Sequence, residues 1–325
     1  LESDQIRATV WSASTPADLS SLRIQYGEGQ RVDPAAVARL DSLVGTIADL
    51  YYRSDEVDWP KLRHWISPAL NAPVGMDAVP GALRSLITVL PGGRHNALVR
   101  KPVHGLSARN EVESLEGELP SCRPMATGVH LLWLPGTTHL DEALDETYVQ
   151  AAHQCLLSQP KQTRWIVDLR ECSGGSSDLA LAALSPMLGQ GQLFQWQNGS
   201  GQRVPVAITN EGVSTGGLIG RQSKLPVGER MTAPALVWIG RGTASACEVA
   251  AAALSRRSNT RLVGEPTAGL ATGNEVVEVP PHHLLYLTAG RLVLDGRLLD
   301  ENRLTPDLSE PNLSVAELIE RLGAQ

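Results

Sequence analysis

The chain has 325 residues, 42% of them hydrophobic, with 30 glycines and a formal net charge of −7. This composition excludes a disordered chain, a coiled coil and a collagen-like fibre, and gives room for about two domains. Only four basic residues are lysines and no Lys/Arg cluster stands out, which speaks against a nucleic-acid groove or an anionic-lipid surface, and no apolar run approaches the roughly eighteen residues of a membrane span.

From the N-terminus to about residue 100 the pattern is helical. Val37, Leu40, Leu43, Val44, Ile47 and Leu50 recur at close to the helical period, which predicts a helix over Ala35 to Tyr52 with Asp33-Pro34 as cap and first turn. Trp59-Pro60 opens a second helical segment that ends before Pro68. Gly81 to Leu90 forms a third, stopped by Pro91-Gly92-Gly93, and His95 follows in a loop. From residue 128 the texture changes. Gly128 to Leu134 predicts a strand, Leu140 to Leu157 a helix, Arg164 to Leu169 a short apolar strand ending at a Gly-Gly turn, and Leu179 to Leu188 a helix.

The stretch from Gly189 to Val227 is rich in Gly, Gln and Ser and too long for a structureless connection, so a hairpin or a substrate-facing excursion is expected there. Ala235 to Gly240 is another apolar run, and it leads straight into the Ala-rich helical stretch Ser245 to Arg256. Arg261 to Gly264 predicts one more strand. Glu275 to Val279, His283 to Leu287 and Arg291 to Leu294 are spaced as a meander with Gly290 in one turn. Leu313 to Leu322 closes the chain as a helix. Apolar strands alternating with helices imply an α/β fold with partly parallel pairing.

Two junctions carry chemistry. Ser245 stands where a buried strand turns into a helix, the side of an open α/β sheet on which sites are built. The amides that follow it are helix-terminal donors able to hold an oxyanion. By itself the element equally fits a plain N-cap at Ser245 or Thr243. The second junction is Asp168-Leu169-Arg170-Glu171-Cys172-Ser173-Gly174-Gly175, whose paired glycines let backbone approach a ligand. By itself it is an ordinary strand–helix turn.

Together, Asp168 to Gly175, Gly242 to Glu248 with Gly264-Glu265-Pro266-Thr267-Ala268-Gly269, and Glu301 to Asp307 resemble the successive signatures of the tail-specific, or C-terminal-processing, serine peptidases. The resemblance covers about 128 to 309. It implies Ser245 as nucleophile and a mixed-sheet core flanked by helices, of ClpP/crotonase-like type. The lysine-using branch carries its Lys just after Gly-Glu-Pro-Thr, where this chain has Leu270-Ala271. The histidine-using branch, similar to the tricorn core and to the retinoid-binding protein repeats, is therefore the match. That branch implies His95 as base, in Gly93-Arg94-His95-Asn96 where Asp-Gly-His is usual. It implies Glu301 as the acid, with Glu265 as the alternative. The oxyanion donors implied are the N–H of Ala246 and that of Gly174 or Gly175.

The resulting expectation is a serine endopeptidase of peptide or protein substrates with no cofactor and no metal. It has a helical domain over 1–100, a peptidase core over 101–325 that includes the 189–227 excursion, and no PDZ insert. The start at Leu1-Glu2-Ser3 fits signal-peptide removal as well as trimming, and export to a periplasm or the exterior is expected. A binding protein for an apolar ligand and a small-acyl esterase are the rival readings on the same fold. Four cysteines are too few and scattered for a disulfide framework or a CxxC metal site, and leave one bridge or four thiols open. Cys247 reads as a small buried residue and Cys172 as exposed in the oxyanion loop. Gly212-Val213-Ser214-Thr215-Gly216 matches the nucleophile-elbow pattern, but Pro205 in the preceding strand argues for coincidence. His104, His130, His139, His153 and the pair His282-His283 lack partners for a metal site.

Overall fold

Two β-sheets organise the chain. The structure, a computed structural model, describes residues 34–66, 78–101, 118–137, 142–222, 231–299, 303–310 and 313–323. Helices α1 (Pro34–Leu50), α2 (Trp59–Ile66) and α3 (Ala78–Val89) lead into strand β1 (Ala97–Arg100). Then come β2 (Ser121–Ala126), β3 (Val129–Trp133), α4 (Glu142–Leu157), β4 (Arg164–Asp168), α5 (Ser177–Ala183) and α6 (Ser185–Leu188). Strands β5 (Gly191–Asn198), β6 (Arg203–Thr209), β7 (Gly212–Thr215) and β8 (Leu218–Gln222) follow, then β9 (Ala235–Ile239) and α7 (Ala246–Ser255). The remainder is β10 (Thr260–Gly264), β11 (Thr272–Val279), β12 (His283–Leu294), β13 (Arg297–Leu299), β14 (Leu308–Ser309) and α8 (Val315–Gly323).

The smaller sheet has the order β14-β10-β9-β4-β3-β2. It is parallel from β14 to β3, with β2 antiparallel at one edge. Helices cover both faces, so β4 and β9 read as unbroken apolar runs whose alternate residues part to opposite sides. Trp165, Val167, Val237 and Ile239 belong to the core shared with α4, α5 and α7. Ile166, Leu236 and Trp238 meet Leu318 and Leu322 of α8. Ala250 to Ala253 of α7 are all buried; their small side chains let the helix lie close on the sheet.

The larger sheet has eight strands in the order β1-β12-β5-β6-β7-β8, with β11 and β13 also paired to β12, all antiparallel. The expected excursion over 189–227 is the meander β5 to β8 as far as the described residues run. Leu43, Ile47, Tyr51 and Tyr52 of α1 and its end, with Leu83 and Leu86 of α3, pack on Leu98, Leu285 and Leu287 of this sheet. The predicted turn at Gly290 is absent, because β12 runs through it as one strand of 12 residues. Gly290 faces Gly273 on β11, and a Cβ built on either lies 3.5–3.7 Å from Trp196. The two glycines leave the bare face on which that indole lies.

The ClpP/crotonase-like expectation is corrected by this architecture. The resemblance implies one mixed-sheet core. The chain builds a second, antiparallel sheet by pairing Ala97 with Tyr286 and Gln197 with Arg291, and pairings of that sequence separation leave no local pattern.

Candidate active site

The turn that carries Ser245 is built by side-chain and backbone bonds between β9 and β4. Thr243 Oγ1 donates to Leu169 O at 2.8 Å and accepts from Gly240 N–H at 3.0 Å, so Thr243 closes the turn and does not cap α7. Ala244 N–H donates to Cys172 O at 3.0 Å. Ser245 then takes φ 52°, ψ −120°. An N-cap normally has extended dihedrals, and positive φ on a serine is an outlier of the kind that collects at working sites. The other non-glycine residue with positive φ among the described residues, Asp295, precedes Gly296 in a two-residue hairpin turn, where such a value is ordinary.

What holds Ser245 there is Glu248, a fully buried carboxylate. It accepts from Ser245 N–H at 3.0 Å, Thr267 Oγ1 at 2.5 Å, Gly269 N–H at 2.9 Å and Leu270 N–H at 2.6 Å. A buried carboxylate is tolerated when several donors face it. These four belong to Ser245 and to the loop after β10, so one side chain registers both. The motif Ser245-Ala246-Cys247-Glu248 is a capping-box spacing, and that was the signal by which sequence reasoning had the means to single out Glu248.

The glycine loop lies directly against the serine. Gly174 and Gly175 have φ of +119° and +121°. A Cβ on Gly174 would stand 2.8 Å from Ser245 Cβ, and one on Gly175 would collide with the Thr137 backbone. Thr137 N–H donates to Gly174 O, and Ser176 N–H to Thr137 Oγ1, both at 2.8 Å. At the loop's root the Arg170 guanidinium forks onto Asp168 at 2.9 and 2.7 Å and stacks over Trp238 at 3.3 Å. Cys172 is buried, not exposed, because it is bonded to Cys247. With Cys122–Cys155, the two bridges leave no free thiol among the described residues.

His95 ends a short 3₁₀ turn, Gly93–His95, immediately before β1. Tyr51 Oη donates to Pro91 O at 2.5 Å and Tyr52 Oη to Gly92 O at 3.3 Å. Asn274 Nδ2 donates to His95 O at 3.1 Å, and Thr288 N–H to Asn96 Oδ1 at 2.8 Å. Asn96 thus secures the loop to β12. The Nδ1 of His95 meets Thr272 Oγ1 at 2.7 Å. Burial pushes the imidazole down to about 4, which keeps it neutral at neutral pH. Thr272 opens β11, two residues past the Leu270 amide held by Glu248. The chain of contacts from Ser245 through Glu248 and residues 269–272 therefore ends on His95. No local pattern marked Thr272 in advance.

Glu301 lies outside the described residues, as do His104 and His139. Glu265 pairs with Arg241 at 3.4 Å, and its N–H donates to Ile239 O. Ser214 is a buried residue inside β7, paired with Ala207, which is no elbow. His153 is buried against Ala182 O and Ser185 Oγ, and His130 packs on Trp165. Among the described residues no group of His, Cys, Asp or Glu is arranged to hold a metal, and no helix is long and apolar enough to cross a membrane.

A strained hydroxyl at a strand-to-helix turn, set against positive-φ glycines, is the arrangement of acyl-transferring hydrolases. The model of peptidase family S41 matches residues 139–309, more than half of the chain, and the chain belongs to that family, the tail-specific and C-terminal-processing serine peptidases. It is 30% identical over 125 residues to the Nisin-resistance protein of Lactococcus lactis subsp. lactis, 38% of this chain and 38% of that one; the alignment thus spans well under half of that relative's length. A lipoprotein from Streptococcus agalactiae has a similar structure, with TM-score 0.77 and 18% identity over 93% of this chain and 99% of that one. The photosystem II D1 C-terminal processing protease gives TM-score 0.56 and 14% identity over 89% and 97%. These likenesses put the fold with the C-terminal-processing peptidases and complete the correction of the ClpP/crotonase-like expectation.

Proposed function

We propose that this chain hydrolyses peptide bonds in extended peptide or protein tails through an acyl-enzyme on Ser245. The observation that carries the reading is Ser245 itself, held at positive φ between the Glu248 carboxylate and Gly174. His95 takes the Ser245 proton through Nε2 while Nδ1–H donates to Thr272 Oγ1, which fixes the tautomer. Ser245 Oγ attacks the carbonyl carbon. The Ala246 N–H and that of Gly174 or Gly175 hold the oxyanion, and His95 returns the proton to the leaving amine before water repeats the cycle. A threonine hydroxyl orients the ring but carries no charge to offset the imidazolium, so in this reading the burden of transition-state stabilisation falls on the backbone donors.

The names of the relatives, one for resistance to nisin and one for processing a protein C-terminus, favour a substrate presented as a free tail. Two disulfides support an oxidising compartment, as exported proteins have. The test is labelling with a fluorophosphonate. The adduct is expected on Ser245 and absent from Ser245→Ala, with a peptide library cleaved by the wild type alone. Labelling elsewhere, or cleavage surviving in S245A, overturns the reading.

A further inference from the structure

The glycine loop and the nucleophile turn run side by side from Leu169 and Gly242 to Gly174 and Ser245. As far as Cys172 they are joined by the Thr243 hydroxyl on Leu169 O and the Ala244 amide on Cys172 O. Beyond that point the tie is covalent. Cys172 stands two residues before Gly174, and Cys247 directly follows Ala246, so the bridge joins the two segments that supply the oxyanion donors. Its Cα atoms are 5.8 Å apart, within the range a disulfide spans. From its other side Gly174 is held by Thr137 N–H. The loop is therefore clamped between a hydrogen bond and a disulfide, with the serine's Cβ against it.

We propose that the Cys172–Cys247 bridge is a positioning element of the oxyanion hole. It sets the spacing of the Gly174 and Ala246 amides, so that turnover, and not folding alone, depends on the bridge being closed. The inference rests on the peptidase reading above. The physical reason is the steep dependence of an oxyanion donor on aim: a displacement of about 1 Å is enough to cost a hundredfold in rate. A dithiol opens such a bridge in two steps. Its first thiolate attacks one bridge sulfur to form a mixed disulfide and release the other cysteine; its second thiolate then expels the first cysteine. Two electrons and two protons pass to the protein, and the reductant leaves as its own disulfide. Both cysteines are only 1% exposed, so in the folded enzyme the bridge is shielded from such attack.

The other bridge, Cys122–Cys155, joins β2 to α4 and touches neither donor segment, which makes it the internal control. The experiment compares the full chain with Cys172→Ala/Cys247→Ala and with Cys122→Ala/Cys155→Ala. Three quantities are read per folded molecule: the fluorophosphonate labelling rate of Ser245, kcat and KM on a cleaved peptide, and amide hydrogen exchange at Gly174, Gly175 and Ala246. For the first pair we expect kcat and labelling to fall at least about tenfold with little change in KM, and exchange to rise selectively at the three amides. For the control pair we expect a lower Tm with kcat retained. Wild type unfolded, reduced with dithiothreitol and refolded with its thiols open should label slowly, and should regain labelling on reoxidation. Unchanged kcat with unchanged exchange overturns the proposal, and so does an equal loss from both pairs. If Cys172→Ala/Cys247→Ala and reduced wild type both fail to fold, the bridge is a folding element and the proposal is wrong. If closed wild type neither labels nor cleaves, the peptidase reading fails, while the exchange at Gly174, Gly175 and Ala246 still decides what the bridge positions.

Discussion

Replacing Gly174 by Ala is the most direct perturbation of the proposed oxyanion hole. The new Cβ would stand 2.8 Å from Ser245 Cβ, 3.3 Å from Ala244 O and 3.4 Å from Ser245 Oγ. Ordinary carbon contacts are about 3.5–4.0 Å, so the loop and the serine must part by up to roughly 1 Å. The backbone is also at φ +119°, where an L-residue costs of order 1–3 kcal/mol. The separation displaces one donor from the oxyanion, a loss of about 2.7–4 kcal/mol or 10²–10³ in kcat. Stability should fall by the smaller strain figure, a Tm loss of several degrees. Gly175→Ala makes the useful contrast, because its Cβ would collide with Thr137 O, a backbone atom that cannot turn aside; there stability should suffer first. The assay is the fluorophosphonate labelling rate of Ser245 together with peptide kcat, each divided by the folded fraction from a circular-dichroism melt. If folded Gly174→Ala molecules label and turn over like the wild type, Gly174 is a plain turn glycine and the oxyanion assignment is refuted.

Glu248→Gln keeps the shape of the side chain but turns an amide NH₂ toward a site where four donors converge; a stability loss of about 1–3 kcal/mol, with slower Ser245 labelling per folded molecule, is expected in denaturant melts and labelling assays. Thr272→Val removes the Nδ1 partner of His95 and should lower kcat/KM about fivefold, one hydrogen bond's worth near 1 kcal/mol, while Thr272→Ser restores it; equal rates for all three would show that the hydroxyl does not orient the ring. Because His95 is lowered to about 4 by burial and only neutral imidazole accepts the proton, kcat/KM should hold from neutral pH down and halve near pH 4, and an acid limb at the ordinary histidine value would exclude His95 in this setting as the base. The same lowering acts on stability: the unfolded chain takes the proton first, so this contribution is fully present above about pH 6.5 and is lost as the pH falls toward 4.

The parallel half of the molecule was legible because its central strands β4 and β9 are buried on both faces and lead into helices. Gly128 to Leu134, Arg164 to Leu169 and Ala235 to Gly240 appear as β3, β4 and β9 within a residue or so at each end. The antiparallel half was legible only in part: Glu275 to Val279 and His283 to Leu287 are the paired β11 and β12, but the strands that join them were not. Its strands are half-exposed, rich in Gln and Gly, and matched to partners far along the chain, so Gly290 read as a turn when its partner was the equally bare Gly273. Of the site, Ser245 and the paired glycines stood out by local pattern, whereas His95 came from resemblance. Thr272 acquires a role only when β11 and the histidine turn are brought side by side, which sequence spacing does not encode. The bridge between Cys172 and Cys247 depends on a three-dimensional adjacency of the same sort.

The pairing of β1 on β12 also orders events in time. His95 is seated by bonds from Asn274 and Thr288 and by the pairing of β1 onto His283 to Tyr286, partners that all follow the helix after Ser245 in the chain. Glu248, which holds Ser245, waits on Gly269 and Leu270, and the parallel sheet waits on β14 and on α8, both later in the chain than β12, so Ser245 and the proposed base are completed only once these later segments exist. In the peptidase reading, synthesis itself delays the chemistry: the growing polypeptide, its own tail still extended and cleavable, is no substrate for itself until the segment that completes the site has been made.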